Sequence, residues 1–164
     1  MNEIILTIAG IGTYLAKDDE IGLALVNALS TSSLPDNIQL LLWESVDALS
    51  LAHDLLELEN PLLIVDCADM STLPGRWQLF SNDDTKLKVK LHNISTHGFG
   101  FAEGLSIAQA LGHTQPVYIF GIQPFDLSPR PELSPEMKKL FPTLLTELTN
   151  SINELVQTIL ENNK

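Results

Sequence analysis

The sequence predicts an α/β protein, a three-layer sandwich in which a mostly parallel, twisted sheet of about five strands carries helices on both faces. Three observations predict it. Short runs of branched apolar residues recur along the chain and are bounded by glycine, proline or asparagine, as strands buried on both faces require. Between these runs lie segments whose apolar residues return at helical spacing. The two patterns alternate through all 164 residues without an internal repeat, a low-complexity tract or a shift in composition, which makes residues 1–164 a single domain.

The first strand is expected over residues 3–9, an isoleucine-rich run that meets a turn at Gly10. A helix follows, with Asp18 as its N-cap, Asp19 and Glu20 complementing the positive end of its dipole, and a stripe of Ile21, Ala24, Leu25 and Ala28. Residues 34–37 turn the chain into a second strand at 38–43, and Ala48, Leu51, Ala52 and Leu55 mark a second helix. Asn60 and Pro61 precede a third buried strand at 62–65, and Pro74 and Gly75 turn the chain toward a fourth at 76–80. Residues 81–90 are polar and read as a surface loop leading to the segment 94–97. A helix is expected at 101–111, a last strand at 117–120 and a proline-rich connection at 121–135. The closing helix takes Ser134 as cap and Pro135 in its first position, with Leu145, Leu148, Ile152, Leu155, Val156 and Ile159 as its apolar stripe and a kink or interruption at Pro142.

Hydrophobic residues make up 45% of the chain, enough to build a core at this length. A formal charge of −12 disfavours nucleic acid and anionic membrane as partners, because both demand a basic surface. No apolar run approaches spanning length, and the apolar start is too short for a secretory leader. The single cysteine, Cys67, forbids an internal disulfide and suits a reducing cytoplasm.

Three segments end in groups that can hold a metal: Gly10-Ile11-Gly12 running on to Asp18 and Asp19, Leu63-Ile64-Val65-Asp66, and Ser95-Thr96-His97 before Gly98. In an open α/β sheet such strand-end groups converge on one crevice. The glycine pair is not a dinucleotide fingerprint, because Leu15 stands where a third glycine belongs and three acids crowd the amides a pyrophosphate would need. Taken by themselves, the glycines are explained by a tight turn, and Asp18 and Asp19 by a cap and a dipole-complementing acid. Only one of the two acids needs that role. Asp66 closes an apolar run where an unpaired charge is expensive unless the strand end opens onto water or a cation. Alternation along the strand turns Cys67 away from it, as a small core residue. His53, His92 and His113 have no partner in sequence, whereas His97 stands in a glycine-rich stretch. Two carboxylates and an imidazole suit a borderline divalent ion with open positions. No serine elbow or cysteine–histidine pairing is present, which disfavours covalent catalysis.

From about Ile4 to the last helix these pieces, with Gly22, Pro74-Gly75, Gly121-Ile122-Gln123-Pro124 and Leu133-Ser134-Pro135-Glu136, resemble the hydrogenase maturation endopeptidases. That family removes a C-terminal peptide from the large subunit of nickel-iron hydrogenases. The resemblance implies a metal-binding triad of Asp19, Asp66 and His97, catalysis by Asp19 and Asp66 of an aspartic type, and a cytoplasmic enzyme. It implies as partner a large-subunit precursor whose nickel the triad recognises, a ligand set that other divalent ions also fit. Thr13 and Glu20 depart from the family's usual Asn and Gly or Ala, and Glu44-Ser45-Val46-Asp47-Ala48 replaces its glycine-rich stretch. The alternative is a receiver-like signalling domain with an acidic magnesium site and phosphoaccepting Asp66. It requires a lysine after the last strand, where this chain has Gly121-Ile122-Gln123-Pro124. A metal-carrying chaperone is a third reading.

Overall fold

The computed structural model describes residues 3–81 and 101–164. In chain order it contains β1 (Leu6–Gly12), a 3-10 turn (Lys17–Glu20), α1 (Ile21–Leu29), β2 (Ile38–Glu44), α2 (Ala48–Glu57), β3 (Leu62–Cys67), β4 (Trp77–Ser81), α3 (Phe101–Ala110), β5 (Val117–Ile122) and α4 (Pro135–Asn162). The five strands form one sheet in the order β2-β1-β3-β5-β4, parallel except for β4, which runs antiparallel to β5 at the edge. The α/β expectation of a mostly parallel sheet between two helical layers holds.

Alternation along the central strands divides the core in two. Leu63, Val65 and Cys67 of β3, with Leu6, Ile8, Phe120 and Ile122, pack against α1 and α4. Leu62 and Ile64, with Ala9, Val117 and Ile119, pack against α2 and α3 on the opposite face. The edge strand is pinned by Trp77, whose ring stacks on Phe120 with centroids 4.8 Å apart. Asp47 caps α2 by accepting from the amides of Leu49 and Ser50, and Ser134 caps α4 by accepting from Met137, with Pro135 in the first turn.

Four expectations are corrected. β1 continues through Gly10 and Gly12 instead of turning there. A Cβ on Gly10 would sit 2.5 Å from the carbonyl oxygen of Gly22, and one on Gly22 would sit 2.2 Å from that of Val65. These glycines therefore let α1 lie directly on β1 and β3. The first helix begins at Ile21, after the 3-10 turn, and Asp18 does not cap it. Its buried face comprises Ile21, Gly22, Leu23, Leu25, Val26 and Leu29, with Ala24 and Ala28 at its margin, because the sheet and α4 cover it on more than one side. Finally, α4 runs unbroken through Pro142, which lies on the exposed side where a freed carbonyl is least harmful, and Leu144 rather than Leu145 is fully buried.

Candidate active site at the carboxyl end of the sheet

The chain leaves β1 toward β2 on one side and β3 on the other, so the strand order reverses between β1 and β3. Such a switch point opens a crevice beyond the carboxyl ends of the two strands. Asp19 follows β1 there, and Asp66 is the penultimate residue of β3.

Asp19 is 1% exposed, and its Oδ2 accepts a hydrogen bond of 2.8 Å from the amide of Thr13. The amide that a phosphate would need after β1 is thus occupied by the protein's own carboxylate, in agreement with the rejection of a dinucleotide site. A Cβ on Gly12 would lie 2.0 Å from the carbonyl oxygen of Asp19, so only glycine lets the turn fold back this closely. The hydroxyl of Thr13 accepts from the amide of Leu15 at 3.3 Å. Glu20 is partly buried, and its carboxyl is raised by desolvation and by Glu132, with Lys138 opposing.

Asp66 is half-buried, and burial pushes its carboxyl well above the ordinary carboxylate range. The charge of Asp19 pushes it further in the same direction, and one hydrogen bond from the amide of Cys67 offsets only part of this. The structure therefore brings Asp19 and Asp66 into one electrostatic site. Two like charges placed this way make ionising both acids at once unfavourable. Cys67 points to the opposite face, into the core with α1 and α4, and its thiol is pushed up by burial and by Asp66, Asp19, Asp18 and Asp69. It is no nucleophile at neutral pH.

His97 and His92 lie outside the described residues. Among the described residues no group of three or more His, Cys, Asp or Glu side chains is placed to hold a metal ion. The oxygen donors of Asp19 and Asp66 are nonetheless of a kind that fits a divalent ion. His53 is exposed and 3.6 Å from Asp54, and His113 is buried with Nδ1 2.9 Å from the carbonyl of Leu55, so neither belongs to the site.

Two contributors escaped the sequence reading. Asp18, expected as a helix cap, is fully buried and receives hydrogen bonds from the amides of Phe125, Asp126 and Ser134 and from the Ser134 hydroxyl. Gln123 accepts from the amide of Met70 at 2.7 Å and donates to Asp69 at 3.2 Å, bracing the loop after β3 against the end of β5. Its place in the Gly121-Ile122-Gln123-Pro124 run was the available signal. Around the crevice, Tyr14, Leu15, Leu73, Phe125 and Leu127 stand exposed on the loops that follow β1, β3 and β5. These side chains give the loops at the carboxyl end of the sheet an apolar rim.

Fold and site together define an α/β protein with a strand-end acid pair at a topological switch point. A receiver-type sheet instead runs 2-1-3-4-5, an order this chain does not have. A family model described as hydrogenase maturation protease matches residues 43–151, and the chain belongs to that family. It is 30% identical over 124 residues to the hydrogenase expression/formation protein HupD of Bradyrhizobium diazoefficiens, covering 74% of this chain and 64% of that one. Against HupD of Rhizobium leguminosarum bv. viciae the identity is 29%, covering 74% of this chain and 60% of that one. The chain thus spans less than two thirds of the curated relatives it matches. Among solved structures it is similar to the hydrogenase maturating endopeptidase HybD from E. coli, with a TM-score of 0.77, 25% identity and coverage of 92% and 93% of the two chains. It shares its fold with the NiFe hydrogenase maturation protease HybD from Thermococcus kodakarensis, with a TM-score of 0.69, 23% identity and coverage of 90% and 98%.

Proposed function

We propose that this protein is an endopeptidase that removes the C-terminal extension of a nickel-iron hydrogenase large-subunit precursor once nickel has been inserted. The observation that carries the reading is the acid pair, Asp19 buried beside β1 and Asp66 with its carboxyl pushed up at the end of β3, within a chain of the maturation protease family. The apolar rim suits an extended peptide, and no helix among the described residues is long and apolar enough to cross a membrane.

In this reading Asp19, Asp66 and His97 meet a nickel ion that the precursor itself brings. The ion makes it favourable for both carboxylates to be ionised, so metal recognition and activation of the pair are one event. A carboxylate oxygen then accepts a proton from the attacking water, whose oxygen bonds to the scissile carbonyl carbon. When the C–N bond breaks, the leaving nitrogen takes up a proton and the extension departs as a peptide with a free amine. Cytoplasmic location belongs to the same proposal.

The test is to mix the protein with a large-subunit precursor and follow the precursor by mass. Loss of the C-terminal peptide from the nickel-loaded form, with the nickel-free form left whole, is expected. An intact nickel-loaded precursor contradicts the reading. Equal cleavage of both forms keeps the peptidase and removes nickel from recognition.

A further inference from the structure

We propose that Asp18 is a positioning residue, holding Asp19 toward the crevice by clamping the 3-10 turn to the connection 123–134. The proposal rests on the reading of Asp19 as a site acid.

Asp18 is fully buried, and its two oxygens receive four hydrogen bonds. Oδ1 accepts from the amide of Ser134 at 2.8 Å, and Oδ2 accepts from Phe125 N at 2.8 Å, Asp126 N at 3.0 Å and Ser134 Oγ at 2.9 Å. The backbone repeats the tie. Asp18 N donates to the carbonyl of Asp126 at 3.1 Å, and Lys17 N to that of Arg130 at 2.9 Å. Lys17 Nζ adds an ion pair to Asp126 at 2.7 Å. Ser134 also caps α4 through Met137, so the clamp is anchored in the longest helix of the fold.

Residues 17 and 18 are therefore fixed from the side of the connection, and Lys17 is kept at a φ of 40°, a conformation that a lysine does not adopt unaided. Asp19 is the next residue, and in a 3-10 turn successive side chains diverge by about 120°. With Asp18 turned into the connection, Asp19 is turned toward the end of β1, where its Oδ2 meets Thr13 N and its carbonyl lies against Gly12. Any rotation of the turn that releases Asp18 also swings Asp19. Two adjacent acids consequently do different work: one fixes the backbone, and the other is aimed by it.

The substitution Asp18→Asn keeps the shape but places an amide NH2 against a donor. Amide hydrogen exchange and precursor processing are then measured on the same variant. The expected result is that exchange at Thr13 quickens by about tenfold together with exchange at 125, 126 and 134, while Leu62–Cys67 stays protected. The kcat for processing should fall by about tenfold or more at unchanged folded fraction. If Thr13 keeps its protection while 125, 126 and 134 lose theirs, Asp18 only ties a loop and the proposal falls. Should Asp18→Asn fail to fold, Ser134→Ala withdraws one donor and is read in the same way, with smaller changes at Thr13. Exchange at Thr13 needs no substrate. A wild-type protein that leaves precursor uncut therefore sinks the endopeptidase reading, whereas an active enzyme whose Thr13 ignores Asp18 sinks only the positioning role.

Discussion

Asp18 and Asp66 are both acids drawn into the carboxyl end of the sheet, and their surroundings are opposite. Asp18 is surrounded by donors, three backbone amides and a hydroxyl, so its charge is fully used within the protein. Asp66 has the Cys67 amide against it and the charge of Asp19 beside it, and its carboxyl is pushed up. A buried carboxylate with enough donors is a structural joint; one short of donors and next to a like charge holds free energy that a proton or a cation can release. The adjacency of Asp18 and Asp19 links the two regions, because the joint sets the direction of the acid that loads Asp66.

The contrast can be broken most severely at the joint. Asp18→Ala removes the acceptor of four hydrogen bonds and leaves buried donors unpaired, a loss of about 3 kcal/mol or more that a thermal or denaturant melt will register. Loss of a helix cap alone would cost about 1 kcal/mol, so the size of the effect separates the clamp from the cap that the sequence suggested. Ser134→Ala should cost about 1 kcal/mol, since it removes the cap of α4 and only one of those four donors.

At the acid pair the smallest effect is expected, with the opposite sign. Because the folded-state pKa of Asp66 lies above its unfolded value, the native chain keeps a proton that the unfolded chain releases. This favourable term is fully present below the unfolded pKa and is lost as pH rises through the folded one. Asp66→Asn should therefore melt slightly above the metal-free wild type at neutral pH, and the difference should close as pH falls to about 4. A variant that melts below wild type at neutral pH would show that the Asp66 charge is stabilising, and the contrast with Asp18 would vanish.

The sheet was legible because β3 and β5 are buried on both faces and therefore read as continuous apolar runs. The extent of β1 was not, since Gly10 and Gly12 carry a turn signal in sequence but serve close packing of α1 in space. Asp66 was marked as a candidate by its position at the end of an apolar run, and Asp19 by the resemblance. The role of Asp18 could not, because its partners lie 107 to 116 residues away and an acid before a helix has a sufficient local explanation as a cap. Pro142 misled for a similar reason: its effect depends on which side of α4 faces solvent, which local pattern does not state.

The central claim is that chemistry resides in the Asp19–Asp66 pair and not in the joint that supports it. It is tested most directly by incubating Asp66→Asn, verified as folded, with nickel-loaded large-subunit precursor and measuring the precursor's mass over time. The account predicts that no C-terminal peptide is released by a variant at least as stable as wild type; release at the wild-type rate would contradict it.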